Sequence, residues 1–187
     1  VDRALALEPK NLDYLRARAL YANWMGNVDV AAETYKRILA IVPNDENALV
    51  GLQGAVSWNS RRADREAITE TLAKKAAAKP TDARLQFHLA QSYSMADKPD
   101  KALEAVERAV TLDPKNVEYL QARGQYANWL GKTDIAEDSY RRVVAISPKD
   151  DAAILSLARA EAWGGSLDSS VRSFKKYVKA HPEDKDA

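Results

Sequence analysis

Trp24, Trp58, Trp129 and Trp163 carry the most distinctive chemistry in this sequence. Trp24, Trp129 and Trp163 each stand 19 residues before a proline, and Trp58 stands 22 before Pro80. Met95 holds the corresponding place before Pro114. Indole rings at one recurring place have three readings: buried between neighbouring helices, partly packed with one face open, or a row of platforms facing a ligand. The pairs Asn23-Trp24 and Asn128-Trp129 set an amide beside a flat apolar face, a combination that suits sugars or peptide backbones.

Other chemistry is sparse. The two histidines, His88 and His181, have no Glu or His at the spacing of a helical zinc site, so no metal is expected. No serine sits in a Gly-x-Ser-x-Gly elbow, and there is no Gly-x-x-x-x-Gly-Lys phosphate loop. Asp134, Glu137 and Asp138 have the spacing of a solvated helix face rather than of a convergent acid and base. Neither catalytic residues nor a cofactor are assigned.

The elements that position the tryptophans are legible from the prolines. Six of them, at 9, 43, 80, 114, 148 and 182, are spaced by 34, 37, 34, 34 and 34 residues. A period near 34 marks a two-helix unit that buries its apolar face only by stacking on its neighbours. Counting back from each proline, small residues recur at Ala31, Ala102, Ala136 and Ser170 and again at Ala19, Ala90, Gly124 and Ala158, where helices must approach closely. Bulky residues recur at Tyr35, Leu72, Val106, Tyr140 and Phe174. Gly26, Gly131 and Gly165 end the first helix of their units, with Asp97 in that place in the third, and Pro99 suits the start of the next helix.

These residues, in the order small residue, turn glycine, alanine, aromatic and proline, resemble the tetratricopeptide repeat family. The resemblance implies an all-α superhelix, an α-solenoid of five helix-turn-helix repeats over 11–45, 46–82, 83–116, 117–150 and 151–187, with 1–10 as the tail of a preceding repeat helix. The second repeat departs from the pattern: Gln53 takes the small place, Ser60 the glycine, and three residues are inserted near Asn59–Asp64. Its segment Trp58–Arg65 is expected to be the most mobile interior part and a hinge. Pro9–Pro43 and Pro114–Pro148 share 19 of 35 residues, including Tyr-Ala-Asn-Trp. That longer repeat reads either as a recent duplication or as two copies kept alike by one repetitive ligand.

The resemblance also implies a ligand-contacting set on the first helices: Asp13, Arg16, Leu20 and Trp24 with Asn23 in the first repeat, Glu118, Gln121, Gln125 and Trp129 with Asn128 in the fourth, and Trp58, Met95 and Trp163 in the others. The groove cations Arg16, Arg84 and Arg159 fall in separate repeats, which disfavours a clamp for a terminal carboxylate.

Composition narrows the partners. Hydrophobic residues at 46% exclude a disordered chain, and 28 basic against 27 acidic side chains leave a net charge of +1, with no global field toward nucleic acid. No apolar stretch is long enough to cross a bilayer, and Val1-Asp2-Arg3 reads as an excised or processed start. Cysteine is absent, which fits an oxidising compartment as well as a reducing one. The units Tyr-Ala-Asn-Trp-x-Gly and Ala-Trp-Gly-Gly resemble the periplasmic repeat region of bacterial outer-membrane exopolysaccharide export proteins, as in cellulose secretion. That implies a non-catalytic scaffold in the periplasm with protein partners and a polysaccharide chain. The alternatives are a peptide-docking adaptor, in the cytoplasm as well, or a structural spacer.

Overall fold

The computed structural model describes residues 1–43, 45–56 and 62–181, and among them every regular element is an α-helix. The chain divides into two compact units, Val1–Ala78 and Lys79–Ala187, the division falling after a helix and not at the irregular turn of the second repeat. The first unit holds α1 (Asp2–Leu7), α2 (Leu12–Trp24), α3 (Val28–Ile41), α4 (Glu46–Ala55) and α5 (Arg62–Ala78). The second holds α6 (Ala83–Met95), α7 (Pro99–Leu112), α8 (Val117–Trp129), α9 (Thr133–Ile146), α10 (Asp151–Trp163) and α11 (Leu167–Ala180). Trp58 and the inserted stretch around it lie outside the described residues; from Arg62 onward the expected hinge segment is the first turn of α5, where Arg62 pairs with Glu66 at 2.9 Å.

Pro9, Pro43, Pro80, Pro114 and Pro148 each follow the end of one helix and, two residues later, an Asn or Asp begins the next, while Pro99 opens α7. Asn11, Asp45, Asp82, Asn116 and Asp150 all accept backbone N–H bonds in the first turn of the helix they cap. Such a cap satisfies donors that have no partner within the helix and is worth about 1 kcal/mol. Within four hairpins the turn is closed by a residue with positive φ: Gly26 at 72°, Gly131 at 68°, Gly165 at 82° and Asp97 at 58°. The following N–H then reaches back to the last helical turn, as from Asn27 to the Ala22 carbonyl at 2.8 Å and from Lys132 to that of Ala127 at 2.9 Å.

The small residues mark the closest approaches. Ala19, Ala31, Ala90, Ala102, Ala136 and Ala158 are wholly buried, and Leu72 and Val106 fill the space beside them. Tyr35 and Tyr140 are also buried, and each lies close over a glycine. The Tyr140 ring lies over Gly124 of its own hairpin, whereas Tyr35 lies over Gly51 of the next; a Cβ at either glycine would meet ring atoms within 2.9 Å.

Cations tie neighbouring hairpins together in a pattern that recurs with the repeat. Arg37 donates to the Pro9 carbonyl and Arg142 to the Pro114 carbonyl, both at 2.8 Å, and Lys176 to the Pro148 carbonyl at 3.3 Å. Arg18 bonds Asp2 of α1 and Thr34 of α3; its counterpart Arg123 bonds Asp138 and Ser139 of α9 and pairs with Glu107 of α7. Glu137, expected on a solvated face, is instead largely buried, paired with Arg141 and approached by the Ser166 hydroxyl.

Candidate ligand-contacting face of the first helices

Buried Leu15, Ala19 and Ala22 define the stripe of α2 that faces its neighbours, and Trp24 lies two residues beyond Ala22. At 3.6 residues per turn that is about 200° around the helix, so the indole must point away from the core. The same offset separates Trp129 from Leu120, Gly124 and Ala127 in α8, and Trp163 from Ile154, Ala158 and Glu161 in α10. Trp24 is accordingly 78% exposed, Trp129 52% and Trp163 65%. Of the three readings of the tryptophans, burial between helices does not hold for these three. Met95, at the same place in α6, is half-buried.

In both copies of Tyr-Ala-Asn-Trp the indole is buttressed from within its helix. Tyr21 and Trp24 have ring centroids 5.7 Å apart, and Tyr126 and Trp129 5.5 Å apart. Tyrosine three residues before the tryptophan is a spacing that places both rings on one side, and it was available in the sequence.

The polar members of the expected set divide by role. Asp13, Glu118 and Gln125 are exposed, as is Leu20 one turn before Trp24. Arg16 and Gln121 are turned toward the next hairpin: Arg16 donates to Asp45 at 2.8 Å and Gln121 to Asp150 at 3.2 Å. These carboxylates are the caps of α4 and α10, so the two residues fix how successive first helices meet. The asparagines beside the tryptophans are also engaged. Asn23 Nδ2 donates to the Tyr35 hydroxyl at 2.9 Å, and Asn128 is hydrogen bonded to the Tyr140 hydroxyl, its own Oδ1 buried without a partner. Burial raises the pKa of both tyrosines, so the phenols stay neutral. Each asparagine thus ties its first helix to the tyrosine of the second, while Asn23 stays exposed beside its indole and Asn128 is half-buried.

The Arg16 guanidinium, hydrogen bonded to Asp45, holds that carboxyl below the usual aspartate range and raises its own pKa. A carboxyl with a lowered folded pKa stabilises the fold above its ordinary titration range, and that contribution is lost as pH falls through the lowered value. Acid unfolding of the first unit should therefore begin below about pH 4, the ordinary aspartate range. Asp45→Asn should flatten that limb; an unchanged acid limb in circular dichroism would show that the pair contributes nothing.

His88 is half-buried with Nδ1 3.2 Å from Gln91 Oε1, and burial lowers its pKa. His181 lies 2.8 Å from Asp151. Among the described residues no group of His, Cys, Asp and Glu is arranged to hold a metal ion, and no helix is long and apolar enough to cross a membrane.

The sequence model of the tetratricopeptide repeat matches residues 83–126. No curated protein matches the chain in sequence. Among solved structures, MamA protein is similar with a TM-score of 0.72 at 24% identity, over 89% of this chain and 90% of that one. YrrB, described as a TPR protein with an unusual peptide-binding site, has a TM-score of 0.72 at 16% identity, over 98% and 93%. TTC0263, a thermophilic TPR protein of Thermus thermophilus, has a TM-score of 0.63 at 21% identity, over 91% of each chain. Hairpins of this period, closed by proline and turned at a left-handed residue, together with these likenesses, show the fold to be a tetratricopeptide-repeat α-solenoid.

Proposed function

We propose that this chain is a non-catalytic tetratricopeptide scaffold from the periplasmic part of a bacterial exopolysaccharide secretion protein of the cellulose type, and that its first helices hold an extended polymer. The observation that carries the reading is the exposure of Trp24, Trp129 and Trp163 at one recurring place. A large indole left in water at the same point of the first, fourth and fifth hairpins contributes little to folding and is suited to stacking on a repetitive chain. One turn before Trp24, Met95, Trp129 and Trp163 stand Leu20, Gln91, Gln125 and Arg159 on their separate helices, so no block of like charge flanks the indoles. Lack of cysteine suits an oxidising compartment.

A peptide-docking adaptor is the second reading. Leu20, one turn before Trp24 and exposed, favours it in the first unit, since an aliphatic side chain beside an indole suits an apolar peptide anchor. The similarity to YrrB, described as binding a peptide, points the same way.

Titration with soluble β-glucan oligosaccharides, followed by tryptophan emission and calorimetry, separates the two. Binding is expected, and Trp129→Ala should weaken it by about 2 kcal/mol, the scale of an interface anchor. Binding that ignores all three tryptophan substitutions would remove the stacking role, and a response to apolar peptides but not to glucans would establish the adaptor.

A further inference from the structure

The second hairpin departs from the packing rule at both of its close-approach positions. Where the first helices of the other hairpins carry Ala19, Ala90, Gly124 and Ala158, α4 carries Gln53. Where their second helices carry Ala31, Ala102, Ala136 and Ser170, α5 carries Ile68. Gln53 and Ile68 are both buried, so neither relieves the crossing by turning to solvent. Larger side chains at places where two helices should touch hold the helices apart. A cleft of about 360 Å³ is left between α3, α4 and α5. Leu39, Leu49, Leu52 and Ile68 line it, and Lys36 of α3 and Asp64 of α5, joined at 3.1 Å, stand at its edge.

In the other hairpins the same space is filled or closed. Leu52 stands nine residues after Pro43, as Arg18 does after Pro9 and Arg123 after Pro114. Arg123 reaches Glu107 of α7 and Ser139 of α9, and the cleft it shares with Arg142 and Thr111 is polar. Leu89 and Leu157 take that place in the third and fifth hairpins, but there the small residues Ala90, Ala102, Ala158 and Ser170 let the helices close. The second hairpin combines a leucine at this place with large residues at the crossing, and an apolar space is the consequence.

We propose that this cleft binds a small uncharged aliphatic molecule, its chain lying against Leu39, Leu49, Leu52 and Ile68. The volume is that of a modest small-molecule site, and aliphatic walls with few polar groups are the usual make-up of one. The charges at the edge decide the head group, because they already match each other. An anionic or cationic head would have to compete with the Lys36–Asp64 pair beside an apolar wall, whereas an uncharged molecule leaves the pair intact. None of the tryptophan-bearing positions lines the cleft, so the inference does not depend on which ligand the first helices take.

The test uses 1-hexanol as the probe on the whole chain, read from the methyl resonances. Those of Leu39, Leu49, Leu52 and Ile68 should shift together and saturate, while those of Leu120 and Ile154 in the second unit stay in place. Hexanoate and hexylammonium, of the same chain length, should bind about tenfold more weakly. Ala67→Phe and Thr71→Phe each bring a ring to the cleft from an exposed position of α5, and each should weaken hexanol binding by about tenfold with circular dichroism unchanged. The charge series needs no substitution and decides the matter if neither variant folds. Shifts that fail to saturate or that spread over the methyls of both units would overturn the proposal, as would undiminished binding in a folded variant or charged homologues bound as tightly as the alcohol. Tighter binding of N-acetyl-leucinamide than of 1-hexanol would overturn it too, since the occupant would then be the side chain of a partner protein.

Discussion

Leu120→Ala is expected to destabilise the second unit by about 2–5 kcal/mol, while Trp129→Ala, nine residues along the same helix, should change its stability by less than about 1 kcal/mol. The order is the reverse of what side-chain size suggests. Leu120 is wholly buried in the stripe that α8 turns toward its neighbours, so truncation removes contacts and leaves a cavity. Trp129, 52% exposed, loses its contact with the Tyr126 ring and the surface it shades, and leaves no enclosed cavity. Because each hairpin touches only its neighbours, the loss at Leu120 should be felt mainly in the second unit. Urea titrations of the two variants decide the matter: equal losses would mean that the indole is a packing residue after all.

Gly124→Val should cost about 3 kcal/mol or somewhat more, and Gly124→Ala less, because alanine regains up to about 1 kcal/mol of helix propensity. A Cβ at this place comes within 2.7 Å of the Tyr140 ring. The ring is buried and its hydroxyl is held by Asn128, so it cannot swing aside cheaply. Replacing Tyr140 by leucine in the Gly124→Ala background should recover part of the loss, a non-additivity expected only for residues in contact. The first copy shows how the same tyrosine is accommodated beside an alanine. Ala19 stands where Gly124 does, and Tyr35 lies close over Gly51 of α4, so Gly51→Ala is the matching lesion there. Full additivity of the two changes in the second unit would refute the close approach.

The fold was readable because its constraints are local and repeat. A proline near each hairpin's end, a left-handed residue at the turns of four hairpins and small side chains at fixed offsets act within a few residues of where they stand. The caps two residues after Pro9, Pro43, Pro80, Pro114 and Pro148 were equally readable and follow from the same arithmetic. Outward placement of the tryptophans was also implicit: once Leu15, Ala19 and Ala22 are taken as the buried stripe, Trp24 falls on the far side of α2.

Other features were hidden for a physical reason. Arg16 and Gln121 have the spacing of groove residues, yet each reaches an aspartate 29 positions on, a pairing decided by the register between hairpins rather than within one. Asn23 and Asn128 look like free amides beside indoles until the second helix brings a tyrosine hydroxyl to them.

The central claim is that Trp24, Trp129 and Trp163 are each open to solvent on their own first helix. It is tested most directly by acrylamide quenching of three single-tryptophan variants that retain Trp24, Trp129 or Trp163, with the other indoles, Trp58 included, replaced by phenylalanine. Each should emit at the long wavelengths of a solvated indole and be quenched readily, Trp24 most and Trp129 least, following their exposures of 78% and 52%. Blue-shifted, poorly quenched emission from all three in the folded chain would contradict the account and return the tryptophans to the core.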